Sequence, residues 1–106
     1  MEERILCSAI WYKDIPIKRL IEFNTLPVNC DRGLVFCGFR HPQCMYTMVS
    51  VTGLRSVDSE VGEEVQGFLT SLNRFVDRVE GLEIARLAKQ IKHNDHIVQL
   101  HSEDLW

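Results

Sequence analysis

Two periodicities alternate along the chain and divide it into elements. Ile5, Leu6, Ile10, Trp11 and Tyr12 gather aliphatic and aromatic residues into one run, which predicts a first strand over Ile5 to Tyr12 at the centre of a sheet. A second run, Leu34 to Phe39, follows the turn signal Asp31-Arg32-Gly33 and reads as a buried strand. The period then lengthens. Cys44, Met45, Met48, Val49 and Thr52 share one helical stripe, Pro42 fits the first helical position, His41 falls at the cap, and Gly53 stands as the stop. On this pattern the methionines and Tyr46 belong to the core.

Farther along, Phe68 to Thr70 suits a strand end, and Asp77-Arg78-Val79-Glu80 has the spacing of a capping box. The stretch from Gln66 to Arg78 is therefore strand, turn and helix start. The helix it opens runs from Arg78 to about Lys92, with Val79, Leu82, Ala85, Ala88 and Ile91 at three-residue steps and Ile84 and Leu87 widening the apolar face. Three segments are less regular. Lys13 to Asn29, with Pro16 and Pro27 around a short apolar run, reads as a loop with a short helix in it; Arg55 to Glu64, rich in acidic residues, reads as an exposed loop. Ile97 to Trp106 is too apolar for a free end and should dock on the domain or across an interface.

The elements add up to one α+β domain over residues 1–106, a small, mostly antiparallel sheet with two main helices. A chain of 106 residues buries a limited fraction of its surface, so oligomerisation is the expected route to more core and a deeper pocket. The formal charge of -3 argues against a long nucleic acid as partner. No stretch reaches the roughly 20 apolar residues of a membrane span, and the acidic start Met1-Glu2-Glu3-Arg4 is unlike a secretory signal, which places the protein in the cytoplasm. Cys7, Cys30, Cys37 and Cys44 then read as reduced thiols, with Cys7 and Cys37 as small hydrophobes inside apolar runs.

Candidate chemistry gathers in two places. Gln66 to Arg78 supplies the ring of Phe68, hydroxyls of Thr70 and Ser71, the amide of Asn73 and the guanidinium groups of Arg74 and Arg78 at a helix start, where unpaired N–H groups favour an anion, although Asp77 as cap competes for them. Arg40 and His41 lie at the other helix start and form a second candidate anion site. The plain alternative is that Phe68 and Phe75 are core and the arginines are solvated. Cys37-x3-His41-x2-Cys44 and His93-x2-His96-x4-His101 bring soft ligands together, but their spacing is not that of a structural zinc site. Cys44 with His41 is a conceivable nucleophile pair, and Asp77, Glu80 and Asp104 are conceivable catalytic carboxylates. No signature supplies the remaining groups, and neither a phosphate-binding glycine loop nor any cofactor motif is present.

Taken together and in order, Cys7-Ser8-Ala9-Ile10-Trp11-Tyr12, Val35-Phe36-Cys37-Gly38-Phe39-Arg40-His41-Pro42-Gln43-Cys44, Gln66-Gly67-Phe68-Leu69-Thr70-Ser71 with Asn73-Arg74-Phe75-Val76-Asp77-Arg78, and Ser102-Glu103-Asp104-Leu105-Trp106 resemble the first Thoeris anti-defence family of phage proteins. The likeness is weakest over Lys13 to Asn29 and Arg55 to Glu64, and Gly81 is an unexpected residue near a helix start. The resemblance implies a sponge acting in the infected bacterial cell. Such proteins bind glycocyclic ADP-ribose immune signals without cleaving them, some capture cyclic trinucleotides at a separate site, and they assemble as dimers or hexamers with the ligand near a subunit interface. It further implies that Phe68 stacks on adenine, that Arg40 and Arg78 (or Arg74) take the pyrophosphate, and that Thr70, Asn73 and Asp104 contact ribose or base edges. The rival readings are a nucleotide-processing hydrolase using Asp77, Asp104 or His41, and a small zinc-stabilised interaction module.

Overall fold

Strand β1 (Ile5–Tyr12) lies between β2 (Leu34–Gly38) and β3 (Glu64–Thr70), and β3 in turn pairs with the short β4 (Phe75–Asp77), so the order is β2-β1-β3-β4 with every pair antiparallel. The computed structural model describes residues 2–15, 26–55, 58–91 and 97–106. Helix α1 (His41–Thr52) follows β2, helix α2 (Arg78–Leu87) follows β4 without a break, and a 3₁₀ turn at Ser102–Asp104 precedes Trp106. Among the described residues the class is the expected α+β, with β1 central.

Both helices cover one face of the sheet. Strand alternation puts Ile10 and Tyr12 of β1 on the face where Cys44 and Met48 of α1 pack, and puts Phe68 and Val76, which are cross-strand partners, under Leu82 and Ala85 of α2. The opposite face carries Ala9, Trp11, Val35, Val65, Leu69 and Phe75, partly covered by Leu26 and Cys30. Asn29 closes the outer edge of β4 as a strand would: its side-chain Oδ1 accepts from Phe75 N at 2.8 Å and its Nδ2 donates to Phe75 O at 2.6 Å. The rest of the Lys13 to Asn29 expectation, residues 16–25, lies outside the described residues.

Several expectations are corrected. The Gln66 to Arg78 stretch is a β-hairpin that runs straight into a helix, because Asn73 takes the left-handed conformation (φ 58°) and Thr70 N and Arg74 O pair across the turn. The resulting β4 went unread in a three-residue run. Helix α2 ends at Leu87, well before Lys92: Ala88 caps it, Lys89 is left-handed at φ 57°, and Gln90 turns back to bond both the N–H and the carbonyl of Ile5. Its buried face is Gly81, Leu82, Ile84 and Ala85, whereas Val79 and Leu87 are exposed. In α1, Arg40 rather than His41 is the cap, with Pro42 one position inside; the first four N–H groups of a helix are unpaired, so proline is tolerated at either place. Tyr46 and Val49 face solvent, and Cys37 is exposed on the edge strand β2, where its side chain lies on the face opposite the helices. Val61, inside the acidic loop, is buried, and Glu64 already belongs to β3. The tail does dock, through Leu100 and Leu105 in the core under α2.

Two glycines permit the close approaches on which this packing rests. A Cβ on Gly67 would lie 2.0 Å from Val76 O, so β4 can cross β3 only beside glycine. A Cβ on Gly81 would lie 3.1 Å from Cδ2 of Phe68, so α2 rides directly on that ring. Gly67→Ala should therefore destabilise the protein by about 3 kcal/mol or more. Gly81→Ala, which gains about 1 kcal/mol of helix propensity, should give no net stabilisation because Phe68 has no room to retreat. Urea unfolding midpoints check both, and a clearly stabilised Gly81→Ala protein would contradict the tight packing described.

Candidate functional site

The start of α1, the middle of β3, the start of α2 and the docked tail converge beside one open cleft. Arg40 holds extended backbone, its N–H bonded by Gln43 Oε1 at 2.9 Å, and from it the helix turns inward. His41 is only 6% exposed; its Nε2 lies 2.8 Å from Gly67 O and its ring meets Phe68 edge-on at 5.2 Å. A carbonyl oxygen can only accept, so Nε2 carries the proton and Nδ1 is left as a lone-pair acceptor. Burial lowers the pKa of His41 below its ordinary 6.5, an effect larger than the opposing bond to Gly67 O, so the ring is neutral at pH 7.

The cleft itself, about 360 Å³, is lined by His41, Pro42, Met45, Tyr46 and Gln66. Gln66 alternates with Phe68 and so points to the helical side of β3, where its Oε1 accepts from Arg78 Nη2 at 2.6 Å. Arg78 also donates from Nη1 to Leu100 O at 2.8 Å, while Leu100 N donates to Arg78 O. Burial pushes the Arg78 pKa down and the carboxylates of Glu103 and Asp104 push it back up, leaving a half-buried cation behind the cleft. Tyr46, 67% exposed, supplies an accessible aromatic ring at the rim.

The residues expected to bind ligand divide into two groups. Arg40, His41, Arg78 and Asp104 surround this corner. Phe68 lies there too, but at 0% exposure, clasped between His41 and α2, and it offers no face to a base; this corrects the expectation that it stacks on adenine. Arg40 is turned toward the tail: Nη2 donates to Trp106 O at 2.5 Å, Nη1 lies 3.9 Å from Glu103, and the guanidinium stands over the Phe39 ring, which also touches Trp106. Asp104 accepts from His101 N at 2.9 Å. Thr70, Asn73 and Arg74 are elsewhere, at the β3–β4 turn. Thr70 is buried and its hydroxyl donates to Glu3; Arg74 grips Glu3 with Nε and Nη2, both at 2.9 Å, and reaches Glu80 at 3.2 Å; Asn73 shapes the turn. The arginine at the helix start is thus Arg78, not Arg74. Asp77 caps α2 by accepting from Val79 N and Glu80 N.

Sequence reasoning gave no cleft role to Tyr46, Gln66 or Met45. Strand alternation with Phe68 was a usable signal for Gln66, and Tyr46 falls two residues after Cys44, off the buried stripe. As for the metal spacing, Cys37 is exposed on the sheet face opposite α1 while His41 and Cys44 are on the buried side of α1, so the strand directs the first away from the other two. His93 and His96 lie outside the described residues.

A family model described as "Phage T4 y16D protein" matches residues 4–106. Neither a curated protein nor a solved structure matches the chain.

Because the folded pKa of His41 is depressed, its contribution to stability is fully present above the unfolded value near 6.5 and is lost as pH falls through the folded value. Melting temperature should therefore drop between pH 7 and pH 5. His41→Gln, whose amide can still donate to Gly67 O, should flatten that part of the profile; an unchanged acid slope would mean that other groups set it.

Proposed function

The chain belongs to the Phage T4 y16D protein family, and we propose that it is a phage sponge for a small cyclic nucleotide signal of the glycocyclic ADP-ribose class, which it binds without cleaving. The carrying observation is the cleft at the start of α1. A neutral histidine acceptor, an accessible tyrosine ring and an amide, with the half-buried Arg78 guanidinium bonded behind the amide, are polar groups around a concave, largely apolar surface. In this reading Tyr46 stacks on the base, His41 Nδ1 accepts from an amino or hydroxyl group, and Arg78 supplies the positive field for the pyrophosphate.

Binding is favoured over hydrolysis by what the candidate catalytic groups are doing. The Cys44 thiol is buried, donates to Arg40 O and is pushed up to about 11 by desolvation, so it is a poor nucleophile. Asp77 is occupied in capping. The site would be completed by a second copy of the chain; the exposed Val79 and Leu87 on α2 are apolar surface that such an assembly can cover.

Incubation with glycocyclic ADP-ribose followed by heat denaturation tests the reading: the supernatant should contain intact ligand that was depleted before heating. A linear product would make the protein a hydrolase, and absence of depletion would sink the proposal. Tyr46→Ala should weaken binding about 5- to 150-fold, the equivalent of roughly 1 to 3 kcal/mol of base stacking, with an unchanged thermal melt. A Tyr46→Ala protein that binds as tightly as the parent would put the site elsewhere. Light scattering at micromolar concentration should give a dimer or larger, and a strict monomer would remove the shared-interface version.

A further inference from the structure

Away from that cleft, on the sheet face opposite α1 and α2, two cysteines from neighbouring strands come together. The β1–β2 register pairs Ala9 with Cys37, and Cys7 is two residues from Ala9 on the same strand and therefore on the same face, diagonal to Cys37. Cys37 is exposed and Cys7 half-buried, and the register sets the two side chains on the same face of the sheet as diagonal neighbours. The other two cysteines differ in kind. Cys30 and Cys44 are buried in separate cores, and desolvation holds both thiols up at about 11.

We propose that Cys7 and Cys37 form a reactive dithiol that exchanges with small-molecule disulfides. The Cys7 thiolate attacks one sulfur of the small disulfide, forming a Cys7–S–S–R bond as the S–S bond of the small molecule breaks and the first thiolate leaves. The Cys37 thiolate then attacks the Cys7 sulfur, forming the Cys7–Cys37 bond and expelling the second thiolate. Two protein thiols are oxidised and one small disulfide is reduced to two thiols, so electrons and protons balance. The neighbouring Cys37 thiol lowers the Cys7 pKa while Cys7 raises that of Cys37, so Cys7 is the attacking group and Cys37 the resolving one.

Backbone geometry sets the character of the product. Diagonal neighbours in a sheet have Cα atoms about 7–8 Å apart, at or beyond the upper end of the usual disulfide range of about 4.4–6.8 Å. Closure must shift β2 against β1, and β2, an edge strand, pairs with no other described strand that would resist the shift. Such a bond would be readily reduced again, as strained disulfides are. Because β2 leads directly to Arg40 and His41, oxidation would also tighten the strand that delivers α1 to the cleft.

The test is incubation of the intact protein with oxidised glutathione, trapping of remaining thiols by alkylation in denaturant, and peptide mass mapping. The expected product is an intramolecular Cys7–Cys37 disulfide, with Cys30 and Cys44 alkylated, reversed by a dithiol reductant. Cys37→Ser should arrest the reaction at a glutathione adduct on Cys7, and circular dichroism of that variant, altered only at an exposed position, controls for folding. Disulfides formed only between molecules, oxidation at Cys30 or Cys44 in preference, or a Cys37→Ser protein that collects no adduct on Cys7 would overturn the proposal. None of these outcomes depends on nucleotide binding.

Discussion

Phe68 stands where the two helices meet the sheet, and the seating of its ring determines most of what surrounds it. One side meets the ring of His41 edge-on, which fixes the inward turn of α1; the other lies under Gly81, where the missing side chain lets α2 approach closely. Its strand neighbour Gly67 supplies the carbonyl that orients His41, and the same glycine lets Val76 O pass at a distance no side chain would allow. A buried aromatic of this size contributes a large share of a small core, and here it also sets the position of the cleft wall. The residue that looked most like a ligand platform is instead buried support beneath the cleft wall.

The polar corner is organised by the same economy of space. Arg40 and Arg78 both donate to backbone carbonyls of the tail, at Trp106 and Leu100, so two cations near helix starts hold down the last segment instead of standing open to solvent. Charge-assisted bonds of this type are stronger than neutral ones, and they explain why the apolar tail docks in a defined place. Arg74 is drawn off in another direction by Glu3, whose carboxylate it grips with two nitrogens while the Thr70 hydroxyl bonds the same group. Arg74 in turn holds the pKa of Glu3 below the ordinary carboxylate range.

The first three strands, the approximate starts of both helices and the docking of the tail were legible because each has a local cause: alternation, a capping residue, a proline near a first turn, an apolar run. The side-chain roles were harder to read. Nothing local distinguishes the roles of Arg40, Arg74 and Arg78, since these depend on partners 66, 71 and 22 positions away, at Trp106, Glu3 and Leu100. The hairpin after Thr70 was missed because the left-handed Asn73 compresses turn and strand into a few residues. Gly81 was an anomaly as a helix residue and becomes intelligible only against the ring it covers. The early end of α2 has a similar origin, because Gln90 satisfies the backbone of Ile5 across the fold and leaves the helical path to do so.

Those distant pairings carry a kinetic meaning. Glu3 with Arg74, Ile5 with Gln90 and Arg40 with Trp106 tie together parts of the chain separated by 71, 85 and 66 positions. Closing such long loops costs entropy before any contact compensates for it. Nascent chain lacking the tail would leave the floor under α2 without Leu100 and Leu105, and the Arg40 guanidinium without its carbonyl partner. The corner around the cleft is therefore complete only when both ends of the described chain are in place.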